Sequence, residues 1–261
     1  MPYKSQLEEF TYFANLLADE SSKITLKYFR QTFVTENKSD NTPVTIADKN
    51  VELKIRELIN ITYPKHGIIG EEFDNINPDS EFQWVIDPID GTMSFVAGHK
   101  DFGTLIALLH NNKPILGIID CPAHKERWIG IQNQQTTLNC KDVNTSDVKN
   151  IYDSYAFTSG LYFEDNIFRS GFNKIIKKTK YYRLGGDCYM YGMLATGLID
   201  IVIEDTLKIW DYMALIPVIE GAGGVVTDKY NKKITVDSDG SIIATANSKL
   251  HDEVFQILNN Y

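Results

Sequence analysis

The chain has 261 residues, of which 43% are hydrophobic and 23% are charged, a composition typical of a globular protein with a sizeable core. Its 26 Lys and Arg against 35 Asp and Glu give a net charge of −9, which disfavours a nucleic-acid binder that relies on a basic surface. No stretch approaches the roughly 20 apolar residues of a membrane helix, and the first residues show no basic segment before an apolar run, so we expect neither a membrane anchor nor a secretory signal.

Two amphipathic helices are predicted first along the chain. Residues 5–30 form the first, because apolar side chains recur there at helical spacing. A turn is expected at residues 40–43. Thr45 and Asp48 then form a capping-box pattern that opens a second helix, and Tyr63-Pro64 ends it.

Strands dominate the middle of the chain, and strands and helices alternate after it. The first strands are predicted at residues 82–87, 104–109, 115–119 and 127–131. Later strands are predicted near residues 154–158, 180–183, 199–204, 224–227 and 241–245. Helices are predicted near residues 163–178 and 187–197, near Asp211, and from about 247. Early hairpins and late alternation favour a layered α/β sandwich with mixed and antiparallel sheets over a doubly wound parallel sheet.

The acidic motif at residues 87–92 ends an apolar strand. Two carboxylates are not expected at such a position unless something compensates their charge. The proline between them fixes φ and Gly91 permits a sharp turn, so Asp87 and Asp90 can converge beside the Ile89 carbonyl. Oxygen ligands of this kind suit Mg²⁺.

Thr92 follows this motif, and a short helix that begins there would point backbone N–H groups at a phosphate. The alternative is an Asp-Pro turn followed by an Asp helix cap, with no metal. The motif alone leaves both interpretations open.

Three further acidic positions draw attention by their context: Glu71 after an apolar run, Asp211 after Trp210, and Asp48. Taken singly, each is explained by a solvated turn or a helix cap. Together they place acidic groups at several strand or helix ends, and only Asp48 has a basic residue next to it in sequence, Lys49.

This combination resembles the inositol monophosphatase family of Mg²⁺-dependent phosphate monoesterases. Residues 87–95 resemble its first motif and residues 210–224 its second, while residues 70–72 and 45–48 stand at the expected places. The resemblance covers nearly the whole chain. It implies a sugar-phosphatase type αβαβα sandwich, a single unit with lobes at 1–150 and 151–261, and a homodimer.

A finer resemblance is to the histidinol-phosphatase branch of that family. The segments that carry it are residues 102–109, 117–120, 126–128 and 185–189.

The resemblance also implies a set of metal ligands. Glu71, Asp87 and the Ile89 carbonyl would hold one Mg²⁺, and Asp87, Asp90 and Asp211 would hold a second. A third, weaker ion near Glu71 is allowed. Such ions offset the charge of a phosphate dianion and lower the pKa of a bound water, so no covalent nucleophile is needed.

The catalytic residues implied by the resemblance are Glu71, Thr92 and Asp48, with Thr92, backed by Asp48, orienting and deprotonating the attacking water. Gly91 and Thr92 would bind the phosphate through backbone N–H groups. The substrate-binding and phosphate-binding residues implied are Asp90, Gly91, Thr92, Gly185, Gly186, Asp187, Glu204 and Asp211.

Asp187 and Glu204 bear on the substrate, because a pocket that holds both would favour a cationic alcohol such as histidinol over inositol. Their own positions favour plainer roles: Asp187 as a helix cap after two glycines, and Glu204 as a strand-end carboxylate on the surface. The function predicted first is therefore hydrolysis of histidinol phosphate. The alternatives are an inositol-1-phosphate phosphatase and a partner-binding regulator on the same scaffold, with bisphosphate substrates ranked lower.

The three cysteines are far apart and suit neither a disulfide framework nor a zinc site. We therefore expect a reducing, cytoplasmic location.

Overall fold

The computed structural model describes residues 4–31, 35–37, 43–161 and 163–259. The helices of this part of the chain are α1 (Leu7–Tyr28), α2 (Ile46–Thr62), α3 (Thr92–Val96), α4 (Asn166–Ile176), α5 (Asp187–Ala195), α6 (Ile209–Tyr212), α7 (Leu215–Gly221) and α8 (Ser248–Asn259). Its strands are β1 (Thr35–Asn37), β2 (Pro43–Thr45), β3 (Gly67–Gly70), β4 (Phe82–Asp90), β5 (Gly103–His110), β6 (Lys113–Cys121), β7 (Glu126–Ile131), β8 (Thr137–Leu138), β9 (Lys141–Asp142), β10 (Tyr155–Thr158), β11 (Tyr181–Leu184), β12 (Ile201–Glu204), β13 (Val225–Thr227) and β14 (Ile242–Thr245). Of the turn predicted at residues 40–43, all but the last residue lies outside the described residues.

Two mixed sheets form the framework. The first has the order β3-β4-β5-β6-β7-β8-β9, with β3 parallel to β4 and the later neighbours antiparallel. The second has the order β11-β10-β12-β14-β13, in which β10 is parallel to both its neighbours and β14 is antiparallel to both of its own. The first sheet precedes residue 150 and the second follows it, while the division into two lobes stays a prediction.

Helices cover the sheets in layers. Helices α1 and α2 pack on one face of the first sheet, and α5, α6 and α7 lie between the two sheets. Helices α4 and α8 cover the outer face of the second sheet. This arrangement confirms the αβαβα sandwich, and it explains why β5 is buried along nearly its whole length. Within the described residues, no helix is both long enough and apolar enough to span a membrane.

The capping box predicted at the start of α2 is present. The Asp48 carboxylate accepts a hydrogen bond from the Thr45 backbone N–H at 2.8 Å, and Thr45 Oγ1 accepts one from the Ala47 N–H at 3.1 Å. These bonds satisfy N–H groups that the first turn of a helix leaves without partners. They also fix Asp48 at the buried end of α2.

Strand β4 is longer than predicted, because it continues through the acidic motif to Asp90. Its pairing with β5 shifts there: Asp87 lies opposite Leu105, whereas Asp90 lies opposite Gly103. From one pair to the next, β4 advances by three residues and β5 by only two, so β4 holds an extra residue, which is a β-bulge. Residues three apart on a regular strand face opposite sides of the sheet. The extra residue lets the side chains of Asp87 and Asp90 reach the same site.

Candidate active site

Three predicted acidic residues come together at the end of β4. Asp87 and Asp90 are carried by the bulged strand, and Asp211 lies in α6. One carboxylate oxygen from each lies within 4.8 Å of the others. The helix places Asp211 through a backbone contact, because its carboxylate accepts a hydrogen bond from the Lys208 N–H at 2.7 Å.

The electrostatics of this cluster favour a bound cation. Burial is the main cause that raises the pKa of each of the three carboxyls, and the charges of the neighbouring acids add to it. The pKa of Asp211 rises to about 7. The Oδ1 atom of Asp87 is buried and has no hydrogen-bond partner. A buried carboxylate oxygen without a partner, beside two other acids, fits a divalent ion that prefers hard oxygen ligands.

Glu71, the fourth predicted acid, follows β3, the parallel neighbour of β4. It is not among the three carboxylates within 4.8 Å of one another. Burial is the largest cause of the raised pKa of Asp87 and of Asp211, and the charge of Glu71 raises both further. Its carboxylate therefore acts on the cluster electrostatically from just outside it.

Thr92 links the acidic motif to α2. Gly91 adopts a left-handed conformation with φ of 79°, which lets α3 begin at Thr92, as predicted. The Thr92 hydroxyl lies 3.4 Å from Asp48 Oδ1 and 3.1 Å from the Ile89 carbonyl oxygen, and it can donate to either. Burial raises the pKa of Asp48, which makes its carboxylate a better proton acceptor.

A second pair of acids, Asp187 and Glu204, shares a cavity with Asp90 and Asp211 of the cluster. The residues that line this cavity are Asp90, Ser159, Asp187, Cys188, Tyr191, Glu204, Leu207 and Asp211. None of these eight is a lysine or an arginine. The cavity is therefore lined by four acids and no base.

Asp187 is held against the first motif. Its carboxylate accepts a hydrogen bond from the Ser94 hydroxyl at 2.6 Å, and a Cβ on Gly91 would lie 2.9 Å from the Asp187 side chain. It is not itself the helix cap that its position suggested, because Gly186 is the N-cap and Asp187 is the first residue of α5. The next amide, that of Cys188, donates to Asp90 Oδ2 at 2.5 Å.

Gly185 and Gly186 have φ of 96° and 125°, and they make the turn that brings Asp187 to the cavity. Their predicted part in substrate binding stays a prediction.

The prediction that Glu204 is a surface carboxylate was wrong. Its side chain is only 5% exposed, because β12 is a central strand of its sheet. It accepts hydrogen bonds from the Tyr191 hydroxyl at 2.6 Å and from the hydroxyl and backbone N–H of Ser159. Burial raises its pKa to about 7. Glu204 lines the cavity, and its part in substrate binding stays a prediction.

Several residues of the site region were not singled out in the sequence. Ser159 and Tyr191 contact Glu204 only through the fold, and no local pattern marks them, whereas Ser94 lies within the first motif but contacts Asp187 only through the fold. Glu52 and Arg56 did leave a signal, since opposite charges four residues apart stood among apolar positions of a predicted helix.

Comparisons with known proteins agree with this geometry. A family model described as the inositol monophosphatase family matches residues 6–261. The bifunctional phosphatase IMPL2, chloroplastic, of Arabidopsis thaliana is 40% identical over 97% of this chain and 76% of the relative. A histidinol-phosphatase of Chlorobaculum parvum is 32% identical over 94% of each chain. A solved inositol monophosphatase of Zymomonas mobilis superposes with a TM-score of 0.89, at 36% identity over 97% of this chain and 98% of that one.

Proposed function

The chain belongs to the inositol monophosphatase family and is a phosphoric monoester hydrolase, and from this premise we propose that it is a Mg²⁺-dependent histidinol-phosphate phosphatase. The observation that carries the choice of substrate is the pair of acids, Asp187 and Glu204, in the same cavity as the acidic cluster. The relative from Chlorobaculum parvum, named for this activity, supports the same choice.

The family is metal-dependent, and we propose that this chain binds two or three Mg²⁺ ions. Glu71, Asp87 and the Ile89 carbonyl would hold one ion, and Asp87, Asp90 and Asp211 would hold another. The unpartnered Asp87 Oδ1 and the raised pKa values of the three clustered acids, caused mainly by burial, support this assignment. When bound, the ions offset the charge on the phosphate oxygens and stabilise the leaving alkoxide.

Thr92 and Asp48 are proposed to handle the proton of the attacking water. The Thr92 hydroxyl can accept a hydrogen bond from that water while it donates to Asp48 Oδ1, 3.4 Å away. The other oxygen of Asp48 already accepts from Thr45, so the carboxylate is held in place. The backbone N–H groups of Gly91 and Thr92 are proposed to bind the phosphate.

The alcohol part of the substrate would contact Asp187 and Glu204. Histidinol carries an ammonium group and an imidazole that is protonated part of the time, so it can form charge-assisted hydrogen bonds with these acids. Inositol offers only neutral hydroxyls and would leave both carboxylates without a counter-charge. Inositol-1-phosphate hydrolysis remains the second candidate, because the solved relative from Zymomonas mobilis is an inositol monophosphatase at 36% identity.

A phosphate-release assay on the purified protein with Mg²⁺ tests the proposal. Histidinol phosphate, inositol-1-phosphate, a 3′,5′-bisphosphate nucleotide and fructose bisphosphate would be compared, and we expect the largest kcat/KM for histidinol phosphate. Asp187→Ala should remove an interaction worth on the order of 1.5–3 kcal/mol, so it should lower kcat/KM for histidinol phosphate at least about tenfold more than for inositol phosphate.

Asp147→Asn is a suitable control for the substitution, because Asp147 is exposed and distant in sequence from the acidic motifs. Equal losses on both esters would contradict the assignment of Asp187. No turnover on any ester would favour a partner-binding protein instead. We also propose that the chain works in a reducing cytoplasm, in keeping with the free cysteines at 121, 140 and 188. We further propose a homodimer, and light scattering would measure this oligomeric state.

A further inference from the structure

A buried ion pair on α2 stands beside the segment that carries Glu71. Glu52 is fully buried and Arg56 is only 6% exposed. The Arg56 Nε donates to Glu52 Oε1 at 2.8 Å, and a second guanidinium nitrogen lies 2.7 Å from the same oxygen. The two residues are four apart, so they lie on one face of the helix.

Both members of the pair bind the backbone of the segment at residues 71–74. Glu52 Oε2 accepts from the Glu72 N–H at 2.8 Å, and this N–H belongs to the peptide bond that joins Glu71 to Glu72. Arg56 donates to the carbonyl oxygens of Phe73 at 2.8 Å and of Asp74 at 2.9 Å. Three consecutive residues after Glu71 are therefore fixed by one ion pair.

Gly70, the residue before Glu71, packs directly against the same ion pair. A Cβ on Gly70 would lie 2.1 Å from Glu52 Oε1 and 2.9 Å from the Arg56 guanidinium. Any side chain there would displace the ion pair. The pair thus contacts the segment on both sides of Glu71.

A stabilising role alone does not account for this arrangement. Taking two charges out of water is costly, and replacing a buried pair by apolar residues of similar size is often neutral or stabilising. What the apolar replacement cannot do is hold one N–H and two carbonyl groups in a fixed geometry.

We propose that Glu52 and Arg56 are positioning residues that fix the backbone around Glu71 and thereby set the affinity of the site for its divalent ion. The inference rests on the proposed function, because it takes Glu71 as a ligand. Partners of this kind behind metal ligands are typically worth roughly 10- to 100-fold in metal affinity.

Titration calorimetry of the metal-free 261-residue chain with Mg²⁺ tests the inference without any substrate. Arg56→Lys keeps the charge but loses the planar fork, so we expect the dissociation constant for Mg²⁺ to rise roughly 10- to 100-fold. The double variant Glu52→Leu/Arg56→Met also removes the hydrogen bonds to the segment, so its metal-free melting temperature should fall, and below that temperature it should bind Mg²⁺ more weakly than the wild type. Glu52→Gln is a milder third variant for which we expect a smaller change in the same direction.

Lys54→Ala is the matched control. Lys54 lies on the same helix and forms an exposed ion pair with Glu57 at 2.9 Å, so its loss should leave Mg²⁺ binding unchanged. Variants that melt earlier but bind Mg²⁺ with the wild-type constant would show a merely structural role and would overturn the inference alone. A wild-type chain that binds no Mg²⁺ would overturn the proposed function together with the inference.

Discussion

Asp211→Asn is expected to make the metal-free protein more stable while it removes phosphate release. Asparagine has nearly the same shape, and its side-chain oxygen can still accept the hydrogen bond that the Lys208 N–H donates at 2.7 Å. The substitution removes one of three carboxylates whose oxygens lie within 4.8 Å of one another. It therefore relieves repulsion and takes away a proposed metal ligand, with little change in packing.

The size of the effect follows from the pKa of Asp211, which burial raises from 3.8 to about 7. The folded state then holds this proton more tightly than the unfolded state. The free energy of unfolding of the metal-free protein should fall as the pH rises from about 4 to 7. Above pH 7, where Asp211 is ionised in both states, the loss of stability reaches its full size. At pH 8 the penalty is at most about 4 kcal/mol, because each pKa unit corresponds to about 1.4 kcal/mol and the side chain keeps some contact with solvent.

Urea unfolding at pH 8 in EDTA measures this difference, with Asp147→Asn as the control for an exposed carboxylate. We expect Asp211→Asn to unfold at higher urea than the wild type. Mg²⁺ should stabilise the wild type and have much less effect on the variant. A variant that is no more stable than the wild type in EDTA would refute the electrostatic reasoning, and a variant that still hydrolyses phosphate esters would refute the ligand assignment.

Three further outcomes are expected. Thr92→Val should lower kcat by roughly 10²- to 10⁴-fold, while Thr92→Ser keeps most of it, because the hydroxyl is proposed to pass a proton to Asp48; a Val variant with near-normal kcat would contradict this. Excess Ca²⁺ should inhibit Mg²⁺-dependent turnover in steady-state assays, since it accepts looser coordination, and an unchanged rate would count against the metal site. Burial lowers the pKa of His251 from 6.5 to about 4. Between pH 6.5 and pH 4, His251 is therefore protonated in the unfolded chain but largely neutral in the folded chain. As the pH falls through this range, the free energy of unfolding should decrease by up to about 3 kcal/mol. Urea unfolding between pH 7.5 and pH 4.5 should show a smaller decrease for His251→Gln than for the wild type. Equal decreases would show that His251 is not the cause.

Features set by neighbouring residues could be predicted from the sequence. The capping box at Thr45 and Asp48 and the short helix at Thr92 depend on side chains within a few positions of one another, so their patterns are local. The convergence of Asp87 and Asp90 was also expected, since the proline and glycine of the motif restrict and relax the backbone at defined points.

Features set by partners distant in sequence could not be predicted. The bulge in β4 exists only because Asp90 pairs opposite Gly103 on the next strand. Glu204 looked like a surface residue because nothing near it in sequence indicates that Tyr191 and Ser159 will enclose it. In both cases the deciding contact is a tertiary one.

The site is assembled from two sheets, and this has a consequence for how the molecule can diverge. Most groups proposed to handle phosphate follow strands of the first sheet, whereas Asp187 and Glu204 come from the second half of the chain. Among the described residues, the bonds that join the two halves there include Cys188 N–H to Asp90 and Ser94 to Asp187. Selection for a different alcohol can therefore act on Asp187 and Glu204 while the groups on the first half of the chain are inherited unchanged. Substitutions near Asp211 or Cys188 are the exceptions, because Asp211 is a proposed metal ligand and the Cys188 N–H donates to Asp90.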